Sequence, residues 1–485
     1  MQVRDLEPIV VWNHFEDLNA VPRPSKNEEQ IRTFMLDFGK RLELKTSVDK
    51  IGNIVIKKPA SPGMESKETV IIQSHVDMVH QKNSDTDFDF NTQGIISWID
   101  GEWVKAKGTT LGADNGMGVA SAMALLSSKE IDHPALECLF TVDEETGMTG
   151  AKHLDGSLLS GKILLNLDTE DDDEISIGCA GGIDTNTRYQ YTSEETERGS
   201  VAFRIDLKGL KGGHSGMDIH LGRGNANLLL NRLIFELTKS CKVRLAEFDG
   251  GSLRNAIPRE GYAIVAIAES EVDNFKDAFA SNASLIGGEY SEAEPNLNFT
   301  LESAELPQKV INMDDQNKIL GVIYTTPNAV WKMSDKISGL VETSSSLARV
   351  IIKDGQFITQ SLQRSMIESG KDDIANALRL NYNSIGAEVV QSGEYPGWSP
   401  NPNSKILEIV ENKYVELFRD KPRVEACHAG LECGILQEHL NGCDMVSFGP
   451  TIKNPHSPDE KVNIKSVQKF WGFLLDILKE IPEKQ

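Results

Sequence analysis

Hydrophobic and polar residues alternate between helix-like and strand-like patterns over the first two hundred positions. A helical period at 28–41 precedes a short β-branched run at 52–57 and a continuous apolar run at 69–73. A continuous apolar run is typical of a strand that is covered on both faces of a sheet. The same series continues with a predicted helix at 115–127 and predicted strands at 136–142 and 162–167. Alternating strands and helices of this kind predict an α/β domain with a mainly parallel sheet and helices on both faces.

The pattern changes near residue 200. Two rounds of strands and helices, at 201–285 and 338–391, predict an α+β unit, and the α/β pattern returns beyond 394. A chain of 485 residues is also too long for one hydrophobic core. The sequence therefore predicts a catalytic domain that is split between 1–198 and 394–485, with an α+β lid domain inserted at 199–393.

The chain is strongly acidic. Fifty basic and 73 acidic residues give a formal net charge of -23, which disfavours binding to nucleic acid and to anionic lipid. No apolar run approaches the roughly 18 residues of a membrane helix, and the first residues lack the pattern of a signal peptide. Six scattered cysteines without a C-x-x-C pair predict single thiols in a reducing compartment. Together these features predict a cytoplasmic protein that binds neither membranes nor nucleic acids.

Polar groups follow the predicted strands of the first domain at their carboxyl ends. His75 and Asp77 come just after the first apolar run and share one face, where an imidazole can bind a metal while the carboxylate fixes its tautomer. In open α/β sheets, ligands gather at this edge. The other candidate groups near such strand ends or in adjoining loops are Asp114, Glu144, Glu145, Asp168 and His456.

Each of these motifs has an ordinary structural interpretation when it is taken alone. A histidine in a turn, an N-cap aspartate and a solvated pair of glutamates are all common. Their convergence on one edge favours a different interpretation, because two histidines with three carboxylates suit a two-metal site for borderline metals such as zinc. Of the adjacent Glu144 and Glu145, one can bind a metal while the other acts as a general base with a raised pKa.

Longer motifs carry a resemblance to a known family. They are TTLGADNG at 109–116, GLKGGHSG at 209–216, RNAIPR at 254–259 and HAGLECG at 428–434. On these motifs, and across essentially its whole length, the chain resembles the M20 metallopeptidases and, within them, the bacterial aminoacyl-histidine dipeptidases. The resemblance implies two zinc ions per subunit, which cobalt or manganese can replace. It also implies hydrolysis of dipeptides, preferentially Xaa-His dipeptides that include β-alanyl-histidine.

The resemblance further implies a role for each candidate in the catalytic domain. The implied metal ligands are His75 and Asp168 on one ion, Glu145 and His456 on the other, and Asp114 bridging both. Asp77 is expected to orient His75, and Glu144 is expected to act first as the general base and then as the general acid.

The resemblance places the substrate-side residues mainly on the lid. His214 is expected to reach the scissile carbonyl, and Arg364 is expected to hold the C-terminal carboxylate of the substrate, for which a bidentate guanidinium is well suited. Asn255, Gly430 and Glu432 are expected to contact the substrate. Small peptides are thus the expected binding partners. We favour a homodimer, and the sequence leaves open whether His214 acts within its own chain or across that dimer.

Two alternative functions remain open at this stage. Tripeptidases, carboxypeptidases and aminoacylases use the same scaffold, and the metal residues do not separate them from dipeptidases. A non-catalytic peptide-binding relative is the second alternative, and it is disfavoured because Glu144 and all five implied ligands are present. The glycine-rich run at 209–216 does not satisfy the phosphate-loop pattern G-x-x-x-x-G-K-[ST].

Overall fold

The chain forms two compact units in the computed structural model, which describes residues 2–335, 337–401 and 403–484. The first unit comprises Met1–Cys179, Trp398–Ala426 and Leu431–Gln485, and the second comprises Ala180–Gly397 and Cys427–Gly430. Both boundaries expected from the sequence, 198/199 and 393/394, fall inside the second unit. The reason is that the strands at Gly181–Gln190 and Glu388–Tyr395 pair with each other and belong to the sheet of that unit.

Helices and strands follow one another along the whole chain. Residues 2–179 contain helices α1 (Ile9–Asn19), α2 (Glu29–Arg41), α3 (Ala113–Ser127), α4 (Glu144–Gly147) and α5 (Thr149–Lys152), with strands β1 (Lys45–Val48), β2 (Ile54–Lys58), β3 (Val70–His75), β4 (Ser97–Asp100), β5 (Trp103–Ala106), β6 (Leu136–Thr141), β7 (Ile163–Asn166) and β8 (Glu174–Cys179). Residues 180–397 contain helices α6 (Ala226–Ser240), α7 (Val272–Glu289), α8 (Met313–Thr325) and α9 (Glu368–Asn383), with strands β9 (Gly181–Gln190), β10 (Ser193–Glu195), β11 (Ser200–Lys208), β12 (Arg244–Gly251), β13 (Gly261–Ala268), β14 (Asn298–Ala304), β15 (Lys309–Ile311), β16 (Ala329–Met333), β17 (Val341–Lys353), β18 (Gln356–Ser365) and β19 (Glu388–Tyr395). Beyond them lie helices α10 (Lys405–Phe418), α11 (Glu432–His439) and α12 (Ile464–Glu480), with strands β20 (Arg423–Cys427), β21 (Asp444–Ser447), β22 (Ile452–Lys453) and β23 (Lys461–Asn463).

The first unit is built on a mixed sheet of eight strands in the order β1-β2-β6-β3-β7-β21-β8-β20. Its centre is parallel, since β3 pairs in parallel with β6 and β7, and β7 pairs in parallel with β21. Its margins are antiparallel, at β1/β2, β2/β6 and β21/β8. The α/β class is therefore confirmed, but the expected mainly parallel sheet is parallel only at its centre.

The central strands explain why ligand-type residues gather at one edge. Every residue of β3, β6 and β7 is buried, as expected for strands covered on both faces, and α3 packs against β3. Because these three strands run in the same direction, their carboxyl ends meet at one edge of the sheet. In the pairing register, the last residue of β3 lies opposite the last residue of β6.

The second unit has the expected α+β character. A nine-stranded antiparallel sheet has the order β14-β11-β13-β12-β17-β18-β9-β19, and β16 adds to β17. Helix α6 starts at the cap Asn225, whose side chain accepts hydrogen bonds from two amides of the first turn. Its apolar face packs Leu229, Leu233 and Leu237 into the core of this unit, together with side chains of β11, β13 and β17.

The sequence pattern predicts neither a membrane helix nor a disulfide. In the part of the chain that the structure describes, no helix combines the length and the apolar character that crossing a bilayer requires. No disulfide joins the six cysteines within the same residues, as the scattered spacing predicts.

Candidate active site

The three central strands place five acidic or imidazole side chains at one edge of the first sheet. His75 ends β3, and Asp77 follows two residues later. Glu144 and Glu145 open α4 just after β6, and Asp168 lies two residues beyond the end of β7. The sequence predicted this arrangement from the apolar runs alone, because parallel neighbours end at the same edge.

Two further side chains come to this edge from loops. Asp114 lies in the first turn of α3, where its φ and ψ of −81° and 113° are not helical. His456 lies in the loop between the paired strands β22 and β23, with a φ of 60°. A left-handed backbone at a residue other than glycine is uncommon, and it often accompanies a functional constraint.

Asp114 lies between the two histidines. Its Oδ1 is 3.2 Å from Nε2 of His75, and its Oδ2 is 3.1 Å from Nε2 of His456. His75 Nε2 is also 3.5 Å from Asp168 Oδ1, and His456 Nε2 is 3.0 Å from Glu145 Oε2. These four distances define two groups that share Asp114, and each group has one histidine and one terminal carboxylate.

The chemistry of this donor set fits a pair of divalent cations. Ligand atoms of His75, Asp114 and Glu145 lie within 4.8 Å of one another. Among the described residues, none makes a hydrogen bond to the buried Oε1 of Glu145. A buried carboxylate oxygen without a donor is costly unless a cation satisfies it. Two imidazoles with three carboxylates form the nitrogen and oxygen set that zinc and similar metals accept.

The electrostatics of the cluster show the same need for positive charge. Burial raises the pKa of Glu145, and the Asp114 carboxylate raises it further. Burial would lower the pKa of His456, but its hydrogen bonds to Asp114 and Glu145 raise that pKa to about 11. Protonated imidazoles therefore supply, in the protein alone, part of the charge that cations would supply in a metal site.

Asp77 does more than contact His75. It has no exposed surface, and its Oδ1 lies 3.4 Å from Nδ1 of His75. It also accepts hydrogen bonds from the amides of Glu144 and Glu145, at 3.1 and 3.3 Å, and from Ser25 Oγ at 2.8 Å. One buried carboxylate therefore links the histidine that ends β3 to the turn that carries both glutamates.

Glu144 is partly exposed at the edge of the sheet. Burial raises the pKa of its carboxyl well above the ordinary value, and the neighbouring carboxylates of Glu145 and Asp168 raise it further, whereas His75 acts in the opposite direction. A carboxyl with a raised pKa can accept and release a proton near neutral pH.

A second acidic group lies beside the first. Ligand atoms of Glu28, Asp77 and Asp143 also fall within 4.8 Å of one another. This group contains no histidine, and the oxygens of Asp143 accept hydrogen bonds from the hydroxyls of Thr146 and Thr149. Its carboxylates therefore already have protein donors.

In the second unit, His214 lies in the loop after β11. Its Nδ1 accepts hydrogen bonds from the amides of Gly216 and Met217 at 3.2 and 3.0 Å, so the neutral ring carries its proton on Nε2. Burial and the Arg364 guanidinium lower the pKa of His214 to about 4. The side chain is therefore neutral at physiological pH, with an N–H to donate.

Arg364 lies near the end of β18 and is 4% exposed. Its Nη1 donates to the hydroxyl of Tyr395 at 3.0 Å, whereas its buried Nε has no acceptor among the described residues. Asn255 is exposed, and its carbonyl accepts a hydrogen bond from the amide of Ser215, beside His214. Gly430 ends the short segment Cys427–Gly430 of the second unit. The structure thus places Arg364, Asn255 and His214 in the same unit.

Glu432 differs from the other expected substrate contacts. It has no exposed surface, and its Oε2 accepts hydrogen bonds from Gln73 Nε2 and Thr141 Oγ1, both at 2.6 Å. Gln73 lies on β3, two residues before His75, and Thr141 ends β6, three residues before Glu144. This location does not fit a substrate contact, because the side chain is enclosed against the central strands.

Two buried charged residues in the first unit were not predicted from the sequence. Glu460 accepts hydrogen bonds from successive amides that lead to Asp114, and Arg23 donates to the carbonyl of Gly112 in the same segment. Glu460 lies only four residues after His456, and this proximity was the one signal in the sequence.

Comparison with known proteins agrees with the motifs. Residues 71–480 match peptidase family M20/M25/M40. Over 483 residues the chain is 43% identical to the cytosol non-specific dipeptidase of Escherichia coli (strain K12), with 100% of both chains covered. The crystal structure of aminoacylhistidine dipeptidase from Vibrio alginolyticus matches with a TM-score of 0.92 and 44% identity, over 100% of this chain and 99% of that chain. A tripeptidase from Staphylococcus aureus shares the fold, with a TM-score of 0.56 and 16% identity over 98% of this chain and 99% of that chain. The chain therefore belongs to peptidase family M20/M25/M40, as its motifs predicted.

Proposed function

We propose that this M20 peptidase is a cytoplasmic dipeptidase with two zinc ions, that it prefers Xaa-His dipeptides, and that Glu144 carries the proton in the reaction. The observation that carries the proposal is the position of Asp114, with one carboxylate oxygen facing each histidine. Dipeptidase activity is supported by the names of the two full-length relatives, which share 43% and 44% identity with the chain.

In this proposal the metals are held by five side chains. His75 and Asp168 would hold one ion, His456 and Glu145 the other, and Asp114 both. Bound zinc would supply Lewis acidity, which polarises the peptide carbonyl and makes water acidic enough to lose a proton near neutral pH. Cobalt or manganese would suit the same nitrogen and oxygen donors.

Glu144 is the proton carrier in this scheme. It takes a proton from the water as the water oxygen attacks the carbonyl carbon of the substrate. The C–N bond then breaks, and Glu144 delivers the same proton to the leaving amine nitrogen. The direction of the shift suits both transfers, because a carboxyl with a raised pKa takes up a proton more readily than an ordinary glutamate and can still pass it on.

Asp77 and the second unit supply orientation and recognition. Asp77 accepts hydrogen bonds from the amides of the Glu144 turn and faces the His75 imidazole at 3.4 Å, so one buried carboxylate keeps both in one arrangement. We assign the scissile carbonyl oxygen to the Nε2–H of His214, and the C-terminal carboxylate of the substrate to Arg364, whose buried Nε–H has no acceptor among the described residues and can donate to that carboxylate. A neutral donor and a guanidinium match these two oxygen groups.

The preference for Xaa-His dipeptides is supported by the relative from Vibrio alginolyticus, which is named an aminoacylhistidine dipeptidase. The relative from Escherichia coli is named a non-specific dipeptidase. That name supports the second candidate function, which is hydrolysis of a wider range of dipeptides. The relative rates on His-containing and His-free dipeptides separate the two.

A pair of variants tests the assignment of the adjacent glutamates. We expect Glu144→Gln to lower kcat by about a thousandfold, within the range for loss of a general acid–base group, while both metals stay bound. Glu145→Gln is the matched control, because it should lose zinc as well as activity. The roles are contradicted if Glu144→Gln keeps kcat within tenfold of the unchanged enzyme, or if it loses metal as Glu145→Gln does.

A further inference from the structure

Glu460 is a fully engaged carboxylate beside the segment that carries Asp114. It is 2% exposed, and its Oε2 accepts hydrogen bonds from the amides of Leu111 and Gly112 at 2.7 and 3.0 Å. Its Oε1 accepts from the amides of Ala113 and Asp114 at 2.7 and 3.3 Å. Four successive amides therefore point at one carboxylate, and such charge-assisted bonds are stronger than neutral ones.

Arg23 holds the same segment from its carbonyl side. It is 1% exposed, and its Nη2 donates to the carbonyl of Gly112 at 2.6 Å. Its Nη1 donates to the carbonyls of Asp77 and Val76, at 3.1 and 3.3 Å. The guanidinium thus ties the segment that ends at Asp114 to the backbone that follows His75.

The backbone between the two charged groups is closely fitted. Gly112 has a φ of +71°, in the left-handed region that favours glycine. A Cβ atom at this position would lie 2.5 Å from Nη2 of Arg23 and 3.0 Å from the sulfur of Met78. Any other residue would therefore be strained and would also displace the guanidinium.

We propose that Glu460 and Arg23 are positioning residues that fix the backbone of residues 111–114, and thereby the placement of Asp114 relative to His75 and His456, before any metal binds. This inference rests on the proposed metal-binding role of Asp114. Three separate stretches of chain meet in the arrangement: the backbone after His75, the segment 111–114, and the loop 456–460 that carries His456. The spacing of the three ligands is then set by contacts of the backbone with two buried charges.

Glu137 provides a matched comparison within the same unit. It is 3% exposed and also accepts backbone hydrogen bonds, from the amides of Ser160 and Gly161 at 2.7 and 3.0 Å. That segment carries none of the proposed metal ligands. A purely structural role for buried carboxylates predicts that glutamine at Glu137 and at Glu460 would have the same consequences.

The inference predicts different consequences for the two positions. A glutamine at 460 has one acceptor oxygen and an NH₂ group, so it cannot accept from all four amides, and the Asp114 segment is expected to shift. Outer partners of metal ligands typically change affinity by about 10- to 100-fold, so we expect Glu460→Gln to weaken binding of at least one zinc ion by tenfold or more. Activity is expected to recover as the zinc concentration is raised.

The experiment measures Zn²⁺ binding to metal-free, full-length protein by competition with a coloured chelator, together with the visible spectrum of the Co²⁺-loaded protein. The set comprises the unchanged protein, Glu460→Gln, Glu460→Asp, Arg23→Lys and Glu137→Gln. We expect weaker zinc binding and an altered Co²⁺ spectrum for Glu460→Gln and Arg23→Lys, a partial effect for Glu460→Asp, and lower thermal stability with unchanged zinc affinity for Glu137→Gln. If Glu460→Gln does not fold, Glu460→Asp and Arg23→Lys decide the outcome.

Two results would overturn the inference. One is zinc affinity within threefold of the unchanged protein in folded variants at 460 and 23. The other is an equal loss of affinity in Glu137→Gln, which would reduce the effect to general stability. Failure of the unchanged protein to bind zinc, or to hydrolyse dipeptides when loaded, would instead contradict the proposed function.

Discussion

Replacing Asp77 by asparagine changes one buried atom and tests whether this carboxylate organises the metal site. In the folded protein Asp77 has four partners: Nδ1 of His75 at 3.4 Å, the amides of Glu144 and Glu145 at 3.1 and 3.3 Å, and Ser25 Oγ at 2.8 Å. The two amides and the hydroxyl donate hydrogen bonds to the carboxylate, and the His75 imidazole faces it as a potential positive charge, so an ionised carboxylate suits all four partners. Asparagine keeps the shape but offers an NH₂ group in place of one oxygen.

The expected magnitude follows from those contacts. A hydrogen bond to a charged group contributes about 1.5–3 kcal/mol, and the new NH₂ group faces donors on at least one side. We therefore expect Asp77→Asn to lower the free energy of unfolding of the metal-free protein by about 2–4 kcal/mol. Orientation of His75 is lost as well, so zinc affinity is expected to fall by about 10- to 100-fold, or about 1.4–2.7 kcal/mol.

The assay compares zinc affinity, measured by chelator competition, with chemical denaturation of the metal-free protein. Ser25→Ala is the control, because it removes one donor to Asp77 and leaves the charge in place. We expect it to cost about 1 kcal/mol of stability and to leave zinc affinity within threefold. If folded Asp77→Asn binds zinc as tightly as the unchanged protein, Asp77 does not orient His75 in the way that the geometry suggests.

Three further perturbations have defined expectations. Arg364→Ala should raise KM for dipeptides about tenfold or more, because a charged hydrogen bond to the substrate carboxylate is lost, whereas an unchanged KM and kcat would remove Arg364 from the substrate site. Removing metal with a chelator should abolish hydrolysis and lower the melting temperature, and added Zn²⁺ should restore both; activity that survives complete removal of metal contradicts the proposal. Burial and the Arg364 guanidinium lower the pKa of His428 from its ordinary 6.5 to about 3. Between these two pH values His428 is protonated in the unfolded chain and neutral in the folded protein, so the stability of the folded protein falls as the pH is lowered. Denaturation from about pH 7 to about pH 4 should therefore show a smaller loss of stability for His428→Gln than for the unchanged protein, and equal losses would contradict the assigned environment.

The edge of the first sheet could be predicted from the sequence because the relevant signals are local. The apolar runs at 69–73 and 162–167 correspond to β3 and β7 within one or two residues at every end, and parallel neighbours bring their carboxyl ends together. His75 and Asp168 follow directly from that geometry. An apolar run does not indicate the direction in which its strand pairs with a neighbour. The antiparallel margins of the sheet could therefore not be predicted from the runs.

The boundary between the units was misplaced for a similar reason. Strand β8 ends at Cys179 and β9 begins at Gly181, so the chain passes from one sheet to the other within two residues. No linker composition marks that point. The change in hydrophobic pattern near residue 200 falls at β11, well inside the second unit.

Residues that act through distant backbone groups were the hardest to foresee. Glu460 binds the amide of Leu111, which lies 349 positions earlier in the chain, and neither position has a periodicity that indicates the contact. Glu432 was expected at the substrate because of its motif, yet its carboxylate is enclosed between Gln73 and Thr141. A motif fixes which residues are present, whereas the side of the sheet to which each one points depends on packing.

The most direct test of the proposed function is hydrolysis of β-alanyl-histidine and of matched Xaa-His and His-free dipeptides by zinc-loaded and metal-stripped protein. We predict rapid cleavage that depends on zinc, with higher kcat/KM for Xaa-His dipeptides than for matched His-free dipeptides. Equal rates across the panel would keep the two-metal mechanism and replace the preference with broad dipeptidase activity. The absence of hydrolysis by folded, fully zinc-loaded protein would contradict the proposed function.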